Sequence, residues 1–416
     1  MSFTPVTRLK VSWEPEEGRR RLVGRLLRQG HELLFEYDAA FIAGGLELSP
    51  FKLPLGAGVF RGDARVFDGL MGLFDDSLPD GWGRLLIDRR ARKAGVARAQ
   101  LGPLDRLSLV GSRSMGALVY EPEQTLEVPT VLELEELAQD ITAVLSDRDA
   151  DFDRLFAIGG SPHGARPKAL VQLDAKGTLH AGTTAALPGC TAWLLKFRAR
   201  DDPPDSAALE HAYFLMAKAA GIEVPETQVL GRRGHTCFAI RRFDRAGTRK
   251  THQVTLAGLL DAPHTTPTVT YEDLLLAARR LVRSEPAVAE LFRRACFNVF
   301  AHNRDDHSKN FSFLMNEAGE WSVSPAYDLS YSDGPGGEHW MLVAGEGASP
   351  TRSHLEKLAL AGDVKKPRPV IDQVRAAVNR FAALADEAGV PAKTRARVAR
   401  LLGVPASSRK PVRRSR

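Results

Sequence analysis

Cysteine is scarce in this 416-residue chain, and long apolar runs are missing. Its three cysteines, Cys190, Cys237 and Cys296, are widely separated and form no C-x-x-C pair. That argues against a disulfide framework and a zinc knuckle and fits a reducing compartment. No apolar stretch approaches the ~18 residues that a membrane span requires. The opening segment MSFTPVTRLKVSWEPEEG has no apolar core of a secretory signal. The expectation is a cytoplasmic chain without a membrane partner. Acidic residues are absent from the last stretch, SRKPVRRSR (408–416), which carries five positive charges. Removing those five from the net charge of +6 leaves +1, so the body is not a basic nucleic-acid binder. The tail reads either as an arm that touches nucleic acid or as a solvated end.

With 44% hydrophobic and 26% charged residues, the composition is that of a soluble globular protein. The length predicts two or three domains with sizeable cores. Short strands are expected at RLKVSW, LVGRLL and LLFEYD, a helix at 80–95 between Asp80 and Gly95, a strand at 115–122 and a helix at 130–146. Further strands are KALVQL (168–173), AWLLKF (192–197), ETQVL (226–230) and TCFAIRRF (236–243). DAKG (174–177) reads as a hairpin turn, and 205–221 as a helix closed by Gly221. From about 255 the pattern is mostly helical, at 271–283, 286–300, 353–361, 368–388 and 391–402, with one hairpin at 311–329. Sheet-rich chain followed by helix-rich chain predicts two lobes with a cleft between them.

Between the apolar runs AVAELFRRACFNVF and FSFLM lies AHNRDDHSKN (301–310), which packs His302, Asn303, Arg304, Asp305, Asp306, His307, Lys309 and Asn310 into ten residues. Other unusual polar groups occur in a definite order around it. A glycine-containing loop, GGSPHGARPK (159–168), comes first. It is followed by Lys196 near a strand end, Glu210 on the next helix, the strand IRRFDR (240–245), and Asp328 in PAYDLS. Phosphoryl transfer needs such parts: a loop over the phosphates, a strand lysine, an aspartate for the acceptor hydroxyl, and an asparagine and second aspartate for magnesium. In the protein-kinase catalytic loop the aspartate precedes the asparagine by five residues, as Asp305 precedes Asn310 here. Asp305 would accept or orient the hydroxyl proton. Asn310 and Asp328 would hold magnesium, and Lys309 and His307 would stabilise charge on the phosphoryl group.

Each feature alone has a plainer reading. The polar string could be a solvated loop capping a helix, Lys196 a surface lysine, Glu210 an exposed helix residue and Asp328 a turn residue. In GGSPHGARPK, Ala165 stands where a Walker lysine would follow Gly164. A metal-dependent hydrolase using His302, Asp306 and His307 is a second possibility. A non-catalytic kinase fold serving as a binding partner is a third.

The motifs together resemble the HipA-like serine/threonine kinases, toxins of bacterial type II toxin–antitoxin modules. FDDSLPDGWGRLL (74–86) and LDRLSLVGSRSMGALVY (104–120) resemble that family's small N-terminal subdomain. GGSPHGARPKALV resembles its phosphate-side loop, LLKF its strand lysine, and AGIEVPET with RRFDR its hinge. NRDDHSKNFSF resembles its catalytic loop and SPAYDLS its metal-binding element. The resemblance spans about residues 10–345. It implies an α+β, two-lobed, protein-kinase-like fold. Residues 1–125 would form the N-terminal subdomain, 126–245 the kinase N-lobe, 246–404 a helical C-lobe, and 405–416 a basic tail. It implies ATP and magnesium as cofactors, with Asp305 and Lys309 as catalytic residues and Asn310 and Asp328 as metal ligands. Nucleotide contacts would come from His163, Gly164, Ala165, Arg166, Pro167 and Lys168 in the loop, and from Lys196. The hinge would add Arg241, Arg242 and Phe243, and the catalytic region His307, Ser308, Asn310, Tyr327 and Asp328. Ser161 matches a serine whose autophosphorylation inactivates such kinases. At the hinge, Arg241 replaces an acidic residue of better-known members, which leaves adenine to backbone groups. Asp306 beside Asp305 leaves a one-residue ambiguity in the base, and the spacing to Asn310 favours Asp305. The implied partners are a HipB-like DNA-binding antitoxin, operator DNA mainly through that antitoxin, and a protein substrate such as an aminoacyl-tRNA synthetase.

Overall fold

The computed structural model describes residues 5–123, 131–148, 150, 152–159, 164–182, 185–232 and 236–406. The chain divides into two compact units. The first comprises Met1–Asp202, Leu230–Thr266 and Ser312–Ser324, and the second Pro203–Val229, Pro267–Phe311 and Pro325–Arg416.

The first unit is built on antiparallel sheets. One has the strand order Arg245–Ala246, Arg249–Lys250, Arg8–Glu16, Arg19–Gln29, Glu32–Tyr37, Val59–Arg61, with Leu118–Glu121 also paired to Arg8–Glu16. The second runs, within this unit, Cys237–Arg241, Thr191–Lys196, Lys168–Leu173, Leu179–Ala181, Val131–Leu132. A third joins His252–Thr255, Ser312–Met315 and Trp321–Val323. The DAKG turn forms as its residues dictate: Asp174 Oδ1 accepts from the N–H groups of Lys176 and Thr178, both at 2.8 Å, and Gly177 takes φ +85°.

The period of two along the second sheet separates its faces. Ala169, Val171, Trp193, Leu195, Cys237 and Ala239 pack with Trp82, Leu86, Ile141, Val144 and Phe156 into one buried cluster. The helices behind that face are Gly81–Lys93, Leu134–Leu145 and Phe152–Gly159. Lys168, Lys196 and Phe238 alternate with those residues and therefore stand on the opposite face. The expected helix at 130–146 is shorter, because Val131–Leu132 pairs with the 179–181 strand before the helix starts at Leu134.

The second unit is mainly helical: Ser206–Ala219, Tyr271–Leu281, Glu285–Phe300, Arg352–Ala361, Pro367–Val378, Phe381–Glu387 and Ala392–Leu401. The 285–300 helix packs against 271–281 and 367–378, and 206–219 packs against 381–387. Thr270 opens the 271–281 helix with a capping box: its Oγ1 accepts from Asp273 N, and Asp273 Oδ2 accepts from Thr270 N at 2.9 Å. The helix expected at 368–388 is two helices that break at Asn379–Arg380. No helix among the described residues is long and apolar enough to cross a membrane.

Candidate active site

The polar stretch begins where the 285–300 helix ends. The chain leaves the helix through His302 in the left-handed region, φ +50°. Asp305 and Asp306 then take opposite surroundings. The Asp305 side chain is 58% exposed, with Oδ1 3.9 Å from His307 Nε2. Asp306 is fully buried. Its Oδ2 accepts from the Tyr271 hydroxyl at 2.6 Å and from His339 Nδ1 at 2.7 Å, and its Oδ1 accepts from the Trp340 N–H at 2.9 Å. Burial pushes the Tyr271 hydroxyl well above its usual range, with the Asp306 charge adding to it, so the phenol remains a donor.

The network continues inward. Asn298 Nδ2 donates to the Tyr271 oxygen at 2.9 Å, and Asn303 Nδ2 donates to Asn298 Oδ1 at 3.0 Å and to the Asp328 carbonyl at 3.5 Å. Asn310 Nδ2 donates to the Asp305 carbonyl at 2.6 Å, which closes the loop on itself. The Tyr327 hydroxyl donates to the Lys309 carbonyl at 2.7 Å. This last bond ties the residue before Asp328 to the residue before Asn310. Arg304 donates through Nη1 to the Gly337 carbonyl at 2.6 Å and through Nη2 to the Ala348 carbonyl at 3.2 Å. Ser308 and Lys309 are buried, and His307 meets the Trp340 ring edge-on at 6.4 Å. Burial lowers the His302 pKa, and the Arg304 and His339 charges lower it further.

These groups fit magnesium. With its amide nitrogen committed to a carbonyl, Asn310 keeps its side-chain oxygen as a ligand, and Asp328 offers a carboxylate. One carboxylate and one amide oxygen, completed by phosphate oxygens, suit a hard octahedral cation. The alternative set of His302, Asp306 and His307 fits poorly, because three donors occupy Asp306. Among the described residues, no group of three or more His, Cys, Asp or Glu is placed to hold a metal.

In the first unit, register sets Lys196 directly opposite Lys168 on one side and Phe238 on the other. Both lysines are buried, and Lys196 Nζ lies 5.6 Å from the Phe238 ring centroid. Lys168 curls beneath Gly164, which has φ +100°; a Cβ there would stand 2.6 Å from Lys168 Nζ. Gly164 donates its N–H to Asp80 Oδ2 at 3.3 Å, so Asp80 serves this loop instead of capping its own helix. Arg166 pairs with Asp202, with Nε 3.0 Å from Oδ2, and Pro167 accepts from the Phe197 N–H at 2.9 Å. Ala165 packs so closely on Gly81 that a Cβ on Gly81 would meet Ala165 Cα at 2.9 Å. His163 and Ser161 lie outside the described residues, as does the 408–416 tail.

At the hinge Arg241 is exposed and Phe243 half-buried. Arg242 binds Asp244 through Nε at 2.9 Å and Nη2 at 2.6 Å. Arg245 Nη1 and the Gly116 N–H complete the shell of Asp244, at 2.7 and 2.8 Å. Burial alone would raise the Asp244 carboxyl, but the two guanidiniums and these hydrogen bonds hold it well below the usual carboxylate range. Burial and the Arg242 charge bring Arg245 down to about 10. The Arg242 guanidinium is therefore engaged within the hinge itself. Tyr271, Asn298 and His339 escaped the sequence reading. They carry no local motif, and two of them come from segments more than thirty residues from Asp306.

A model of the HipA-like C-terminal domain matches residues 160–385, and one of the HipA N-terminal domain matches residues 18–121. The chain belongs to the HipA-like family. Its fold is that of HipA. A chain from the solved Shewanella oneidensis MR-1 toxin–antitoxin complex of HipA, HipB and operator DNA superposes with a TM-score of 0.67 at 18% identity, covering 92% of this chain and 91% of that one. Among curated relatives, "Putative kinase Y4mE" of Sinorhizobium fredii is 28% identical over 346 residues, 77% of this HipA-like chain and 76% of that protein. A Haemophilus influenzae protein of the same description is 31% identical over 146 residues, 31% of this chain and 42% of that one.

Proposed function

We propose that this chain is an ATP- and magnesium-dependent serine/threonine kinase that acts as the toxin of a HipBA-like toxin–antitoxin module. The observation that carries the reading is the contrast at the catalytic loop. Asp305 presents an exposed carboxylate while Asn310 folds onto its carbonyl, and Asp306 is consumed by internal hydrogen bonds. A base must reach the proton it takes, and Asp305 meets that requirement.

In this reading Asp305 receives the proton of the attacking hydroxyl. Asn310 and Asp328 hold magnesium, which when bound neutralises charge on the transferring phosphoryl group. Lys309 and His307 add positive charge beside it. In the first unit, Lys168 and Lys196 put two cations at one point of the sheet, the chemistry that phosphate oxygens require. The loop 163–168 and the hinge 241–243 serve the nucleotide, and Ser308 and Tyr327 complete its contacts. Because the Arg242 side chain is bound to Asp244, the hinge offers adenine its backbone. A phosphate on Ser161 would draw the loop away from the nucleotide and silence the enzyme. The family supplies the remaining proposals: a HipB-like antitoxin, operator DNA reached through it, an aminoacyl-tRNA synthetase or similar translation component as substrate, and a cytoplasmic setting. The division into 1–125, 126–245, 246–404 and 405–416 belongs to the same reading.

Phosphosite mapping tests it. The phosphatase-treated chain and its Asp305→Asn variant are incubated with ATP and magnesium, then analysed by mass spectrometry. Phosphate on Ser161 in the wild type alone is expected. Phosphate on both overturns the role of Asp305, and phosphate on neither favours a kinase-fold binding protein.

A further inference from the structure

In regulated protein kinases the segment after the metal-binding aspartate is often ordered only when a phosphate on it meets a catalytic-loop arginine. Here the corresponding segment, 329–350, is already pinned to the catalytic loop by hydrogen bonds of the second unit. Arg304 donates to the carbonyls of Gly337 and Ala348. Asp306 accepts from the Trp340 N–H and from His339 Nδ1. Trp340 N–H also reaches the Arg304 carbonyl at 3.3 Å, Ser332 N–H donates to the His302 carbonyl at 3.0 Å, and Asn303 bridges to Ser332 in parallel register. From the other side the 271–281 helix contributes the Tyr271 hydroxyl to Asp306, and its Tyr271 N–H donates to the Leu342 carbonyl at 3.1 Å. Asp306 is thus where three separate pieces of chain meet: the catalytic loop, the helix and the 329–350 segment.

We infer that Asp306 is a positioning residue that aims Asp305, and that the Asp306–Arg304 hub holds the 329–350 segment in its working arrangement with no phosphate on that segment. This rests on the kinase reading. Asp305 and Asp306 share a peptide unit, so anchoring the second carboxylate by three donors fixes the backbone from which the first projects. A displacement of about 1 Å in a catalytic group costs on the order of 100-fold in rate. The arginine that elsewhere awaits a phosphate is engaged by main-chain carbonyls, which are present from the moment of folding.

The test uses the full chain. Turnover and ATP KM are measured for the wild type, Asp306→Asn, Tyr271→Phe and a combined Ser330→Ala, Tyr331→Phe, Ser332→Ala, Ser349→Ala variant, which removes every hydroxyl of the segment. Hydrogen exchange over 334–348 is read in parallel. Asp306→Asn should lose about 100-fold in kcat with ATP KM changed less than about threefold, the split that misaimed chemistry produces. Tyr271→Phe, which removes one donor and keeps the ring, should lose about 3- to 10-fold while remaining folded at the assay temperature. The combined variant should retain wild-type kcat. Wild-type kcat in Asp306→Asn overturns the positioning role. If Asp306→Asn does not fold, full activity in Tyr271→Phe overturns it instead. A large kcat loss in the combined variant at unchanged melting temperature overturns phosphate independence. If the wild type transfers no phosphate, the kinase reading fails while the hub is still read by exchange. There, faster exchange at 334–348 in Asp306→Asn supports the hub and unchanged exchange overturns it.

Discussion

His252 is fully buried, donating from Nε2 to the Leu48 carbonyl at 2.9 Å and meeting the Trp321 ring edge-on. Its Nδ1 has no hydrogen-bond partner among the described residues. Burial brings its pKa from 6.5 to about 4, with the Leu48 bond opposing, so the folded protein keeps the ring neutral. An unfolded chain takes up a proton near pH 6.5 that the folded one refuses until about pH 4. The stability due to neutral His252 is therefore complete above pH 6.5 and drains away as pH falls toward 4, by about 3 kcal/mol. Urea unfolding of the wild type and His252→Gln at pH 7 and pH 4.5 checks this. The wild type should lose more stability on acidification than the variant, and equal losses would refute it. Residue-scale legibility was uneven in the same way. The five-residue spacing from Asp305 to Asn310 was local and readable. The burial of Asp306 was not, because Tyr271 and His339 reach it only through the fold.

At the scale of elements, the Arg242–Asp244–Arg245 cluster staples the end of the 237–241 strand to the loop preceding 118–121. Arg245 also donates to the carbonyls of Ser114 and Gly116, at 2.9 and 2.7 Å. Removing the carboxylate leaves two guanidiniums facing each other in a buried site. Asp244→Ala should cost about 3–5 kcal/mol in urea unfolding, and a loss below about 1 kcal/mol would show the staple to be dispensable. The sequence reads this element as strand, IRRFDR (240–245), whereas the strand ends at Arg241 and the charged residues turn into the cluster. Strands at 168–173 and 191–196 were legible from their apolar runs. The break at Asn379–Arg380 was not, because Ile371, Val374, Val378, Phe381 and Ala385 keep a continuous helical spacing across it. The short strands at 245–255 went unread because two-residue pairings such as Arg245–Lys250 carry no periodicity.

For the whole molecule, ligand binding adds to stability by mass action. A non-hydrolysable ATP analogue with magnesium, at about 100 times its Kd, should stabilise the wild type by about 2.7 kcal/mol. Asp328→Asn should lose the part that depends on magnesium. Thermal melts with and without the metal read this directly, and an equal magnesium effect in both proteins would remove Asp328 from the metal site. A sheet-rich and a helix-rich part were legible in the sequence, but not that Pro203–Val229 belongs with the helices of the second unit. The return of 312–324 to the first unit was not legible either, since only its pairing with 252–255 reveals it. The way the 329–350 segment is held also bears on how such a chain can diversify. Arg304 and one arm of Asp306 grip main-chain atoms of Gly337, Ala348 and Trp340, which every amino acid supplies. Side chains matter at fewer places: His339 by its ring, the buried Leu329, Met341 and Val343, and Gly334, where a Cβ would stand 2.0 Å from the Glu338 carbonyl oxygen. Exposed side chains elsewhere along the segment can be rewritten by mutation, so descendants inherit the same backbone grip under a changed outer surface.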